Sequence, residues 1–309
     1  MELRRVAPVV GLAMLLAADA VLIGWAFRPT PADGYVSAAT SATAGSTGSG
    51  TASPKPTSST KAVTVKPAPL EQFIAAVGPR IAWVVRSGGC PDPGKVWVTD
   101  DAGSSWAAES LPGKVMRVRP GSGETASGVG GDQDCELEQW TTADAGATWD
   151  AGDPPSGTWS RMPVDAAEIH TASDQLVRPC GNRAVIDLAP IDAKRAQVLC
   201  LNGDWLATTD GGSRWERVKK VKGALALTMA DAGTGVLVTA DSGCAGVVAV
   251  PVEGGLPAGE GECVKAPTQD GQVAVSNAGE TWWLLVKDRV FLADDPTGPW
   301  LPTRRDLSG

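Results

Sequence analysis

The chain has 309 residues, among them 37 glycines, 23 prolines and 12 tryptophans, and 35 acidic against 27 basic side chains leave a net charge of −8. That balance excludes a nucleic-acid partner, because counterion release needs clustered Lys and Arg, and the densest basic patch, "RVKKVK" from Arg217 to Lys222, suits a solvated strand edge. One histidine, His170, and six cysteines with no Cys-x-x-Cys pair argue against zinc: no metal or cofactor is expected, and the cysteines point to disulfides in an oxidising compartment.

The first element is an apolar run of 22 residues from Val6 to Phe27, behind Arg4 and Arg5. At 1.5 Å per residue it is long enough to cross about 30 Å of hydrocarbon. Residues 1–28 therefore read as a cytoplasmic tip and a transmembrane signal-anchor helix, with the bulk of the chain outside by the positive-inside tendency. The alternative is a signal peptide cleaved after Ala18-Asp19-Ala20, which would leave a secreted protein. Residues 29–69 are Ala, Ser, Thr, Gly and Pro, a composition that buries no core and reads as a flexible tether.

From residue 70 to 309 the chain reads as hairpins. "TDDAGSSW" at Thr99–Trp106 returns as "TADAGATW" at Thr142–Trp149 and "TTDGGSRW" at Thr208–Trp215, each between two short strand-like runs. In such a turn the carboxylates of Asp101, Asp144 and Asp210 can accept backbone N–H bonds. Gly103, Gly146 and Gly212 supply positive φ, and Trp106, Trp149 and Trp215 lie back over the sheet.

This pattern resembles the Asp-box, or bacterial neuraminidase repeat, S/T-x-D-x-G-x-S/T-W, with Arg214 in place of the second hydroxyl residue in the third copy. The resemblance implies a β-propeller of four-stranded blades, each box being a structural turn between strands three and four, away from the ligand face. Two weaker copies follow, Glu253 in "VEGG" and Asp295 with Trp300 in "DDPTGPW". The acidic positions then step by 43, 66, 43 and 42 residues. Steps near 43 match a propeller repeat and place an insertion near 150–172. The expected fold is all-β, with five blades, or six if residues 150–180 hold a degenerate one. "NAGETW", out of step, reads as a turn between the first two strands of the last blade.

Cys90, Cys135, Cys200 and Cys244 precede their box acids by 11, 9, 10 and 9 residues, which puts them in the connection between strands two and three, on the face opposite the boxes. Of the fifteen connectivities open to six cysteines, the favoured set is Cys90 with Cys135 across neighbouring blades, Cys180 with Cys200, and Cys244 with Cys263. The safest is Cys180 with Cys200, around a hairpin turn at "APIDAK".

The resemblance does not extend to retaining sialidase chemistry. Tyr35, the single tyrosine, lies in the tether, and the Arg-Ile-Pro signature is broken by Ala82 in "PRIAW". No catalytic residue is assigned. The cysteine-rich face is expected to present Arg86, Asp132, Asp134, His170, Arg178, Asn202 and Asp204, with Trp159 on an exposed loop of the insertion, as a surface for an envelope protein or glycan. The alternative is a glycoside hydrolase or lyase using the loop carboxylates.

Overall fold

Residues 65–153 and 156–307 are described by the structure, a computed structural model. The expected membrane span and residues 29–64 of the expected tether lie outside the described residues. What is described is a ring of six antiparallel sheets.

The first blade contains β1 (Gln72–Ala76), β2 (Ala82–Gly88), β3 (Pro93–Thr99) and β4 (Ala107–Ser110). The second contains β5 (Lys114–Pro120), β6 (Ala126–Gly131), β7 (Leu137–Thr142) and β8 (Asp150–Ala151). The third is a sheet of only three short strands, β9 (Ser160–Arg161), β10 (Ile169–His170) and β11 (Leu176–Val177). The fourth holds β12 (Val185–Pro190), β13 (Ala196–Cys200), β14 (Asp204–Thr208) and β15 (Glu216–Lys220). The fifth runs β16 (Ala224–Met229), β17 (Gly235–Thr239) and β18 (Gly246–Glu253), with β19 (Leu256–Pro257) and β20 (Glu262–Lys265) both pairing β18. The sixth is β21 (Val273–Ala278), β22 (Thr281–Val286), β23 (Arg289–Ala293) and β24 (Leu301–Pro302). "NAGETW" does form the β21–β22 turn.

The count of six is the expected alternative, with the degenerate blade inside 150–180, so the stretch near 150–172 is not an insertion. That stretch is the greater part of a blade, and it escaped the 43-residue step because it is short and its turn lacks the box acid. Trp159 reveals its register. The indole Nε1 of Trp83, at the start of β2, donates to Ser122 O in the first hairpin turn of the next blade at 2.9 Å; that of Trp283, in β22, donates to Gly78 O at 3.2 Å. Trp159 Nε1 does the same to Asp192 O at 2.8 Å. Trp159 also meets Trp215 edge-on at 6.2 Å, as Trp83 meets Trp149 at 6.4 Å. By this equivalence β9 is a second strand that has become innermost, and among the described residues its blade has no first strand. Trp159, expected on an exposed loop, is 1% exposed. Its pairing with the next blade's box tryptophan consumes the ring.

Apolar clusters fill five of the six seams between blades. Trp83, Val96, Val115 and Trp140 join blades one and two. Trp159, Ile169, Val185 and Val198 join three and four, and Ile186, Trp205, Leu227 and Leu237 join four and five. Val236, Val247, Trp282 and Leu284 fill the next seam, and Ile74, Val84, Trp283 and Leu285 close the ring. A fully buried aliphatic side chain contributes about 1.5–3 kcal/mol relative to exposure, so these seams hold the disk together. Among the described residues, the seam between blades two and three has no such cluster. Two side-chain hydrogen bonds cross it: Arg119 Nη1 donates to Thr158 Oγ1 at 3.1 Å and Lys114 Nζ to Pro163 O at 2.7 Å.

Among the described residues every sheet is built from consecutive strands, and no strand is shared across the closure between the sixth and first blades. Polar side chains supplement the apolar cluster there. Gln72 Nε2 donates to Gln272 O and Lys287 O at 2.9 and 2.8 Å, Ser276 Oγ accepts from Ala76 N at 3.1 Å, and Arg86 meets Asp288 at 2.8 Å. Residues 65–71 enter as a strap. Val65 is buried among blades five and six, and Leu70 N donates to Ile186 O of blade four at 3.1 Å while Leu70 O accepts from Arg161 of blade three at 2.6 Å. The strap therefore crosses the hub before the chain becomes β1, and packing begins upstream of residue 70.

Candidate functional site

The two ends of each sheet differ in chemistry. At one end the turns between strands three and four carry the repeated Thr-Asp pair. Thr99 Oγ1, in a buried residue, accepts from Asp101 N and Gly103 N at 3.3 and 3.0 Å and donates to Asp101 Oδ1 at 2.8 Å. Asp101 also accepts from Ser105 N at 2.9 Å and Ser105 Oγ at 2.7 Å. The Ser105 bonds, side chain first, hold the Asp101 carboxyl at about 2. Asp144 repeats this with Thr142 and Thr148 and is likewise lowered, chiefly by the Thr148 hydroxyl. Asp210 keeps Thr208 Oγ1 at 3.0 Å and Arg214 N at 3.0 Å, the latter being the main cause of its lowered value. Gly212 has φ +96°, and a Cβ there would lie 2.7 Å from Thr171 Cγ2, so glycine is required.

The weaker copies keep less. Asp295 accepts from Thr297 N and Oγ1 at 2.7 and 2.6 Å, but Ala293 stands where the buried threonine would be. Trp300 remains buried against blade five. Glu253 precedes a two-residue turn in which Gly254 and Gly255 have φ +57° and +79°.

At the opposite end lie the cysteines. Disulfides join Cys90 to Cys135 between blades one and two, Cys180 to Cys200 between three and four, and Cys244 to Cys263 within five, the expected pairing.

Several carboxylates proposed for this face are engaged by their own loops. Asp132 Oδ1 accepts from Asp134 N and Glu136 N, both at 2.9 Å, and so shapes the turn that holds Cys135 at φ +67°. Asp134 is exposed beside it. Asp204 is buried, accepts from Asn202 Nδ2 at 2.7 Å and pairs with Arg217 at 3.2 Å. The Asn202 bond first, then the nearby cations, hold its carboxyl down. Arg178 pairs with Asp165 and reaches Glu168 at 3.6 Å. His170, expected on a loop of this face, is instead a buried residue of β10 whose Nδ1 meets Thr158 O at 2.9 Å. The pleat of that short strand turns it away from the surface.

What sequence reasoning missed is a groove of about 550 Å³ at the cysteine end of the unfilled seam. Its walls are the strap, Arg86–Gly88 of blade one, Lys114 and Met116 of blade two, and residues Arg161–Val164 of blade three. Of the expected residues only Arg86 lines it. The Arg86 guanidinium lies 5.3 Å from the Trp97 ring and is paired to Asp288, so it is fixed at the rim. Arg178 stands next to it through Asp165, which follows the 74% exposed Val164. The signal that could have found Arg161 was "TWSR", whose Trp159 matches Trp83 in "AWVV".

No family model matches the chain, and no curated protein matches it. Solved structures do. The fucose-specific lectin of Aleuria aurantia aligns over 77% of this chain and 96% of its own, at 10% identity and a TM-score of 0.50. The fold is that of a six-bladed β-propeller. YCF48 bound to a D1 peptide matches at 12% identity over 78% of this chain and 83% of its own, with a TM-score of 0.41. A GH74 xyloglucanase from Xanthomonas campestris matches at 12% identity and a TM-score of 0.32, the chain spanning 38% of that enzyme. At such identities the likeness concerns the fold alone.

Proposed function

We propose that this propeller is a membrane-held, extracytoplasmic binding module that takes an envelope protein or glycan in the groove between blades two and three. The unfilled seam carries the reading. Where five seams are closed by buried apolar side chains, this one leaves Met116, Met162, Pro163 and Val164 around a concave opening edged by Arg86, Lys114 and Glu71, with Arg161 buried beneath. An apolar floor with an edge of mixed charge suits a partner that brings both apolar and polar groups. The same reading takes the three Thr-Asp turns as Asp-boxes, and residues 1–28 as the anchor. The lectin and YCF48 likenesses are compatible with binding, but the groove is the argument.

The glycosidase alternative has less support. Asp132 is committed to backbone amides and Asp204 to Asn202 and Arg217, so neither offers a carboxylic acid poised to protonate a leaving group.

A photo-crosslinking residue at Val164, in cells producing the full chain, is expected to capture one envelope protein, or Val164→Asp to abolish retention on envelope polysaccharide. The same residue at Leu176, exposed at the box end, serves as control. Equal capture at both positions, with retention unaffected by Val164→Asp, would overturn the assignment.

A further inference from the structure

A second cavity, of about 240 Å³, occupies the hub. It is lined by the parts of β1, β5, β12, β16 and β21 that lead to the box-end turns, and by Ser160 and Arg161 of β9. Leu70 of the strap lies at its other end, where the cavity and the groove share Leu70, Met116 and Arg161.

Its charges do not balance. Arg117, Arg119 and Arg161 face a single carboxylate, Asp187. That carboxylate is already occupied: Oδ1 accepts from Leu188 N and Oδ2 from Leu227 N of the next blade, both at 2.8 Å. Arg161 is 5% exposed and gives one nitrogen to Leu70 O. Arg119 gives one to Thr158 Oγ1. Arg117 makes no hydrogen bond or ion pair among the described residues, and its Nε is buried without a partner. Burial lowers Arg117 to about 10, with the Arg119 charge adding to the effect and Asp187 opposing it.

Arg117 is half-buried, and sealing its Nε from water without a partner is costly. A planar fork of donors pairs best with an oxyanion. At roughly 30 Å³ per water-sized group, the space holds an anion of several heavy atoms.

We infer that the hub is an anion site, in which Arg117 and Arg161 together take one oxyanion, a carboxylate or a phosphate group, entering from the box end. Arg161 lines both cavities but Arg117 only the hub, so Arg117→Gln tests this site apart from the partner groove.

The test uses the full chain, with sodium phosphate and sodium acetate titrated against sodium chloride at constant ionic strength. Thermal unfolding and calorimetry are the readouts. One of the two oxyanions is expected to raise Tm saturably where chloride does not, and which one does so distinguishes phosphate from carboxylate chemistry. Arg117→Gln is expected to weaken that binding roughly tenfold or more. In anion-free buffer the same change should leave Tm equal or higher, since it removes an unpaired charge, whereas a purely structural arginine would lower it. Arg161→Gln, which also loses the Leu70 bond, should abolish saturation, with circular dichroism confirming the fold. No saturable difference from chloride, or saturation unchanged in Arg117→Gln, would overturn the inference.

Discussion

The second and third blades form the same turn with different chemistry. In the second, Thr142 Oγ1 accepts from Asp144 N and Gly146 N, and the Asp144 carboxylate reaches on to Thr148 N at 2.9 Å. In the third, Thr171 Oγ1 accepts from Ser173 N at 3.3 Å and Gln175 N at 3.2 Å, the same two offsets, and Asp174 takes φ +58° exactly where Ala145 does in the second blade. The carboxylate is missing, because Ser173 stands at its position. Asp174, one residue late, accepts from Gly157 N at 3.1 Å instead and ties down the entry to its own blade. The threonine hydroxyl therefore makes the turn in both blades, and the aspartate adds a tie to Thr148, the residue before the tryptophan. The last strands of both blades are two residues long, and only that of blade two is preceded by a tryptophan, Trp149.

If Trp159 is the counterpart of Trp83, removing it should be as severe as removing any large core side chain. Trp159→Ala is expected to cost about 3–5 kcal/mol in urea unfolding. A loss below about 1 kcal/mol would return Trp159 to a surface role. A smaller effect separates the two halves of the turn. Thr171→Val and Thr142→Val each strip the acceptor from two amides, one of them buried in the second blade, and should each cost about 1–3 kcal/mol. A silent Thr171→Val beside a costly Thr142→Val would break the equivalence of the two blades.

The smallest effect is one of pH. The folded value of Asp101, about 2, lies below its ordinary 3.8, so its contribution is fully present above 3.8 and is lost as pH falls through that window towards 2. Asp144 and Asp210 are shifted in the same direction. Asp101→Asn should flatten the acid limb of the unfolding midpoint against pH, while Thr171→Val should leave its slope unchanged. An unaltered slope in Asp101→Asn would detach the carboxylate from the clasp.

The parts legible in the sequence were those whose partners lie close along the chain or recur at a fixed phase. The three Thr-Asp turns are local, and the cysteines keep step with them, so both could be placed from spacing. Blade three could not, since its turn kept the hydroxyl at Thr171 but moved the acid by one residue. The same loss of register sent Trp159 and His170 to an imagined surface loop. The groove and the hub were invisible for another reason. Lys114, Arg161 and Leu70 meet only through the closure of the ring, and nothing in their separate strands marks them as neighbours.

The strap also decides how the disk takes mechanical load. Tension arriving along the chain upstream of Val65 reaches Val65 and Leu70 first, and through them blades three, four, five and six. It is thus spread from the axle to most of the wheel at once, and does not peel β1 from the edge of a single sheet.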